Sequence, residues 1–275
     1  MSEQIKEHVA KIFTQEEMKE HVAKIFTPAT FDVTIVRYES TSFRIVCGVV
    51  IRAKDQTRIC LELTININIK NADQNNIILN TLAKCAIHNG PELLRMVDDL
   101  AKSFSVKTIM LTDASFRNYC KVIINLPIVH ILTTGITWYN TQGYYSDDHS
   151  INTAHNMAIV NGSFTDMMNT AERHSGKNPD LMAKLIHVLG PPNNDSVIEY
   201  VQKLVESIGR VNCSFDNATL LKELVDYITF AGILKFTTKL THRLSGGRMQ
   251  TKRNKKNNKK CNKSNKIKRN NKRKS

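Results

Sequence analysis

The chain has 275 residues, a hydrophobic fraction of 41% and a formal net charge of +14, enough length and apolar content to bury a sizeable core in one large or two modest domains. Its opening, MSEQIKEHVAKIF, is charged throughout, so no secretory signal is expected. The longest apolar stretch, near Cys120–Leu132, is broken by lysine, asparagine, proline and histidine and is too short to cross a bilayer. The six cysteines, Cys47, Cys60, Cys85, Cys120, Cys213 and Cys261, include no CxxC pair. Free thiols in a reduced compartment are therefore expected, a disulfide framework is not, and sequons such as Asn217-Ala-Thr219 carry no meaning without secretion.

In chain order, the first feature is a repeat. Glu3–Thr14 (EQIKEHVAKIFT) returns as Glu16–Thr27 (EEMKEHVAKIFT), and Pro28 follows. Each copy reads as a short amphipathic helix. A shift of thirteen residues turns the apolar face by about 220°, so one continuous helix would not present both copies on the same side. The expectation is one docked copy and one spare within residues 1–28.

Residues 30–69 alternate apolar and polar positions and are rich in Val, Ile and Thr, which predicts a three-stranded antiparallel meander. NIILNTLAKCAI is expected as a helix. A second helix follows, ELLRMVDDLAKSFSV, with apolar residues at Leu93, Leu94, Met96, Val97, Leu100, Ala101 and Phe104 and Pro91 at its first turn. VKTIMLTDAS is expected as a strand, followed by a mostly apolar segment at 116–133. Residues 29–149 thus predict an α+β domain with helices against a sheet. From about Ser150 the strand signal stops, and residues 150–242, through FAGILKFTTKL, read as helices with Asn178 and Asn217 as N-caps.

Residues 243–275 differ from all that precedes them. They hold 15 of the 39 Lys and Arg and no Asp or Glu, which leaves 24 basic against 25 acidic residues in the rest of the chain. The tail is almost without apolar residues and is expected to be disordered, behind the flexible Ser245-Gly246-Gly247. It is either a solvated, solubilising tail or one that binds nucleic acid or another polyanion through Arg248, Lys252, Arg253, Lys255, Lys256, Lys259 and Lys260. It has no aromatic residue to stack on bases, so such binding would be backbone-directed, sequence-blind and steeply salt-dependent. No apolar face or lipidation motif accompanies the charge, and a membrane partner is not expected.

The stretch LTTGITWYNTQGYYS, Leu132–Ser146, contains the only tryptophan. Trp138-Tyr139-x-x-x-Gly143-Tyr144 reads structurally as a helix end with a glycine C′ cap and aromatics on a sheet, with Trp138 buried. The same residues, after a meander, a helix beginning at a glycine with Leu-Leu on its first turn, and a strand, resemble the GNAT (Gcn5-related) N-acetyltransferases, whose motif there is usually Phe-Tyr-x-x-x-Gly-Phe. The resemblance covers roughly residues 30–146. It implies acetyl-CoA as cofactor and acyl transfer to an amine. Tyr139 would be the acid for the departing thiolate, the helix N-terminus at Asn89-Gly90 the pyrophosphate cradle, and Leu111 and Thr112 would lie beside the pantetheine arm. Of the family's Gln/Arg-x-x-Gly-x-Gly/Ala cradle, Ile87-His88-Asn89-Gly90-Pro91-Glu92 keeps the central glycine, and residues 71–90 separate it from the third strand.

Other candidates are weaker. Asp147-Asp148-His149 with His155 offers metal-ligand side chains but reads as a solvated turn, and no metal is expected. Asp113 or Ser115 is expected to cap a helix. His88 and His130 read as ordinary core or edge histidines. The abundance of asparagine, lysine and isoleucine, with a detachable lysine-asparagine tail, resembles uncharacterised proteins of large DNA viruses. That implies an intracellular place, in the cytoplasm or nucleus of a host cell or in a virion. Two functions stay open: a GNAT-like acyl-CoA-binding domain, active or degenerate, with a polyanion-binding tail; or a non-enzymatic structural, packaging or nucleic-acid-associated protein.

Overall fold

The computed structural model describes residues 13–54, 56–83, 88–209 and 213–244. The first copy of the repeat, apart from its last two residues, and the basic tail lie outside the described residues. Helix α1 (Gln15–Ile25) is the second copy. Thr14 caps it with a full capping box: its Oγ1 accepts from the Glu17 N–H, and the Glu17 carboxylate accepts from the Thr14 N–H at 2.8 Å. Met18, Val22 and Phe26, four residues apart, are fully buried, each worth roughly 1.5–3 kcal/mol. Phe26 meets Phe31 edge to face at 5.6 Å.

Alternation then builds a sheet. Strands β1 (Phe31–Ser40), β2 (Arg44–Ala53) and β3 (Ile59–Asn68) form the expected antiparallel meander. Ile45, Cys47, Val49 and Ile51 lie opposite Ile67, Ile65, Leu63 and Leu61, all buried. The alternate side carries polar cross-strand links: Arg44 to Asn66 (2.8 Å), Asn66 to Asn76 (2.9 Å) and Asn80 to Thr64 (3.0 Å). One face is therefore core and the other is wetted.

NIILNTL is a correction. It is not a helix but a fourth strand, β4 (Asn76–Leu82), antiparallel to β3. Ile77 and Leu79 are buried while Ile78 and Asn80 are exposed, a period of two that a short apolar run hides from a helical reading. The meander has four strands. Helix α2 (Gly90–Ser103) then crosses back to β5 (Thr108–Thr112), which is parallel to β4, as such a pairing requires.

The chain next leaves the sheet. Strands β6 (Phe116–Tyr119) and β7 (Val122–Asn125) make a hairpin whose turn residues, Cys120 and Lys121, both have positive φ. Six helices follow: α3 (Leu126–Thr134), α4 (Trp138–Thr141), α5 (His149–Val160), α6 (Phe164–Ser175), α7 (Pro179–Leu189) and α8 (Val197–Ile208). Helix α9 (Phe215–Ala231) runs through their middle, burying Ala218, Leu221, Leu224, Val225 and Ile228 against β7 and α6 to α8. Asn178 caps α7 as expected. Asn217 does not cap α9: Ser214 does, and the Asn217 amide instead donates to the Ser207 carbonyl at 3.0 Å.

The end of this region is also corrected. The expected helix through KFTTKL stops at Gly232, which takes a left-handed conformation. The chain returns as β8 (Lys239–Arg243), antiparallel to β5, giving the order β1-β2-β3-β4-β5-β8. The protein is α+β, but its two cores do not divide at residue 149. The helical core begins at Val122 and ends at Leu234, and residues 239–243 belong to the sheet. The described residues up to Arg243 form one compact unit.

The cysteines depart from expectation as well. Cys120, in the hairpin turn, is bonded to Cys213, just before α9, with Cα atoms 5.5 Å apart. The partners are 93 residues apart in sequence, a spacing that carries no local signal. Cys47 is free and buried, and burial pushes its thiol up to about 11. Closing so long a loop constrains the unfolded chain. Replacing Cys120 and Cys213 by serine should lower the unfolding free energy by about 2–4 kcal/mol in urea melts under oxidising conditions. The part of the wild-type midpoint's reductant sensitivity that comes from this bond should be absent in the serine variant.

Candidate functional site

The residues that the acetyltransferase resemblance points to lie on α2, β5 and α4, and of these α2 and β5 are in contact. Pairing between β4 and β5 ends at Leu79 and Leu111, while β4 runs on to Leu82. Asn89 and Gly90 stand at the N-terminus of α2, which connects these strands. Leu111 is buried and Thr112 exposed at the end of β5. Trp138 and Tyr139 open α4. The helix and strands that a cofactor arm would need are thus side by side.

The α2 N-terminus is closed, however, by its own side chains. The Asn89 Oδ1 accepts from the Glu92 N–H (3.0 Å), and the Glu92 carboxylate accepts from the Asn89 N–H (3.1 Å). Pro91 contributes no N–H. The Asn89 N–H, with His88 at 3.4 Å, holds the Glu92 carboxyl below the usual carboxylate range. A negative charge therefore sits where a pyrophosphate would have to. Above it lies an indole. A methyl group added to Gly90 would stand 2.9 Å from Trp138 Cη2 and 3.1 Å from Cζ2. Gly90 is a glycine because the tryptophan packs on it, not because a phosphate does. Trp138 is half-buried rather than fully buried.

Local geometry explains the rest of the aromatic motif. Tyr144 N–H bonds to the Tyr139 carbonyl (3.1 Å), and Gly143 N–H bonds to the Asn140 carbonyl (3.2 Å). Gly143 has φ +89°. These are the two bonds of a Schellman motif with glycine at C′, as the spacing predicts. The turn sends Tyr139 and Tyr144 inward, 7% and 1% exposed, with rings 6.0 Å apart. Burial and the charge of Asp113 push the Tyr139 hydroxyl far above its ordinary value, away from where a general acid works well.

Around these rings are half-buried ionisable groups that the expectations from sequence do not include. Asp98 on α2 lies 3.6 Å from His242 Nε2 on β8. His242 Nδ1 donates to the Gly143 carbonyl at 2.8 Å, and its ring is 4.9 Å from Tyr144. The Tyr144 hydroxyl is buried without a hydrogen-bond partner. Desolvation raises the Asp98 carboxyl. The signal for Asp98 was present: it follows Leu94 by four residues and precedes Ala101 by three, and both are buried. His242 has no such signal, because its five-residue strand carries a single buried apolar side chain and does not differ locally from a helix end.

Asp113 is not a helix cap. A hairpin strand follows it, and its Oδ1 accepts from both the Ser115 hydroxyl (2.6 Å) and N–H (3.3 Å), an Asx-type turn. Its other oxygen is buried without a partner. Desolvation is the main cause that raises this carboxyl, and the bonds from Ser115 partly oppose it.

A hollow of about 20 Å³ is lined by Thr137, Asn140, Asn152, Asn156 and Leu240, room for roughly one water. His149 and Asp148 begin α5, and among the described residues no group of His, Cys, Asp and Glu is placed to hold a metal. His88 stacks on Phe31 at 5.2 Å and His130 contacts Thr134, edge roles as expected. Arg248, Lys252, Arg253, Lys255, Lys256, Lys259 and Lys260 lie outside the described residues. Among the described residues no helix is long and apolar enough to cross a membrane. Comparisons with protein-family models, curated proteins and solved structures give no match to this chain.

Asp113 makes a pH prediction. Its carboxyl is raised in the folded state, so between about pH 4 and the raised value the native protein holds more proton there than the unfolded chain does. Stability from this group is lost as pH rises through that window. Asp113→Asn, which keeps the acceptor for Ser115, should be more stable than wild type at pH 7. The difference should shrink toward pH 4 in parallel urea titrations. A constant difference would remove Asp113 as the cause.

Proposed function

We propose that this chain is a non-enzymatic protein that associates with nucleic acid or another polyanion through its basic tail. Its folded body would be a GNAT-like scaffold whose acyl-CoA site is closed. The observation that carries the first half is the segregation of charge: 15 basic and no acidic residues after 242, on a body whose charges nearly cancel. A body close to neutral adds little long-range attraction, so the tail supplies the electrostatic term. With no aromatic residue in the tail, base stacking is absent and binding follows phosphate density alone.

The closed site supports the second half. An incoming pyrophosphate would have to displace the Glu92 carboxylate from its cap and move the Trp138 indole off Gly90. It would gain few backbone donors, since Asn89 already satisfies the Glu92 N–H. The scaffold reading rests on topology. The antiparallel meander, the crossover helix starting at a glycine and the parallel fifth strand follow the order that the resemblance implies. Because NIILNTL is a strand, a strand now precedes the cradle much more closely than the sequence suggested.

The same topology favours a second reading, an acetyl-CoA-dependent N-acetyltransferase with Tyr139 as acid. Calorimetry separates the two. Acetyl-CoA titrated into the full chain should give no heat at millimolar concentration, and Trp138 emission should not change. Micromolar binding would reinstate the enzyme.

The tail is tested by the anisotropy of labelled oligonucleotides. The full chain should bind unrelated sequences alike, with log affinity falling linearly in log salt at about 0.7–0.9 per phosphate neutralised. Replacing Arg248, Lys252, Arg253, Lys255, Lys256, Lys259 and Lys260 by glutamine should weaken binding at least tenfold at low salt and flatten that slope. Undiminished binding would place the polyanion contact elsewhere.

A further inference from the structure

The sequence holds two ligands for one groove. The groove lies between β1 and α2, and α1 fills it with Met18, Val22 and Phe26, all fully buried. His21 lies 4.5 Å from Phe104 on its flank. In the first copy, Ile5, His8, Val9 and Phe13 occupy the corresponding positions, and ten of the twelve residues of Glu3–Thr14 match Glu16–Thr27. Every groove-facing side chain is kept, with Ile5 for Met18 as the one change, a volume-conserving swap between apolar residues. The spare copy is also close at hand. Phe13, its last aromatic, already meets Phe104 at 5.9 Å, and its carbonyl accepts from the Tyr38 hydroxyl.

We propose that the first copy, Glu3–Thr14, takes the α1 groove of its own chain whenever Glu16–Thr27 leaves it, a slip of thirteen residues that keeps the core covered. Two features set the resting register. The second copy has the Thr14–Glu17 capping box, whereas the residues aligned with these in the first copy are Met1 and Gln4, and methionine cannot cap. The second copy is also joined to β1 by a few residues, while the slipped register must close residues 15–27 as a loop. Slipping is therefore disfavoured at rest and becomes favourable when the second copy is captured or damaged. The consequence is a releasable segment: α1 can be given up to another contact without exposing Phe31 and the sheet face beneath it.

The test is a cycle of four full-length chains: wild type, Val9→Asp, Val22→Asp and the double variant. Val9→Asp should melt as wild type does. Val22→Asp should fall by a few degrees, because the first copy replaces the spoiled one. The double variant should fall by well over the sum of the two single drops. Hydrogen exchange gives the direct readout: in Val22→Asp, amide protection should leave residues 15–26 and appear on residues 2–13. Additive drops, a Val22→Asp chain that fails to fold, or protection that never reaches residues 2–13 would each overturn the proposal. Rescue that strengthens with protein concentration would also overturn it, because the groove would then be filled by the first copy of a second molecule.

Discussion

The arrangement depends on a single buried amide. Asn156, in α5, is 3% exposed. Its side chain accepts from the Lys235 N–H (2.9 Å) and donates to the Lys235 carbonyl (2.7 Å), as a neighbouring strand would. His155 adds a bond to the Ile233 carbonyl at 2.8 Å. Residues 233–237 have left α9 and not yet joined the sheet, so their backbone groups need partners from outside any regular element. Asn156 supplies them and aims the chain at β5. Without that clamp β8 would have to find its register unaided across a separation of about 130 residues from β5, a loop-closure cost met only when the helices are already packed.

Once β8 is in place it fixes the aromatic turn. Tyr145 exchanges two backbone bonds with Thr241 (2.9 and 2.8 Å), and His242 holds the Gly143 carbonyl. The turn is thus held to the sheet edge on one side, while α3 and α5 pack behind it. Gly135, with φ +83°, ends α3 directly against Met157, where an added Cβ would lie 2.0 Å from its Sδ. No side chain could be accommodated there. These contacts leave Trp138 one place to go, across Gly90. The closing of the α2 N-terminus is in this sense a product of the fold's return path rather than of the α2 sequence alone.

That dependence explains what could be read from the sequence. The meander was legible because β1 and β3 largely alternate, β2 is a Val- and Ile-rich run, and each pairs with its immediate neighbour. So was the Schellman turn at Gly143, whose bonds span five residues. β4 was not, since Ile77, Ile78 and Leu79 in succession fit either period, and only pairing with β3 and β5 selects the strand. β8 is five residues long and has one buried apolar side chain, Leu240. Nothing local distinguishes it from a helix end. The Cys120–Cys213 bond and the Asp98–His242 contact join segments that meet only after folding. At residues 89 and 90 what separates a cradle from a cap is the capping box and the tryptophan packed on Gly90, and the position of that indole is long-range information.

The buried polar groups under the turn are the cost of this closure. Asp113 and Tyr144 each keep one buried atom without a hydrogen-bond partner, and Asp98 Oδ1 has only the 3.6 Å contact of His242; an unsatisfied buried group destabilises by roughly 1–3 kcal/mol. In an enzyme such groups are retained because a substrate completes them. Here Tyr144 and Asp113 are almost wholly enclosed, 1% and 3% exposed, so their unmet polar atoms weigh on the stability of the body. Tyr144 sits in the turn that β8 pins through the Tyr145–Thr241 pair and the His242–Gly143 bond, so its unpaired hydroxyl is held in place by that strand exchange.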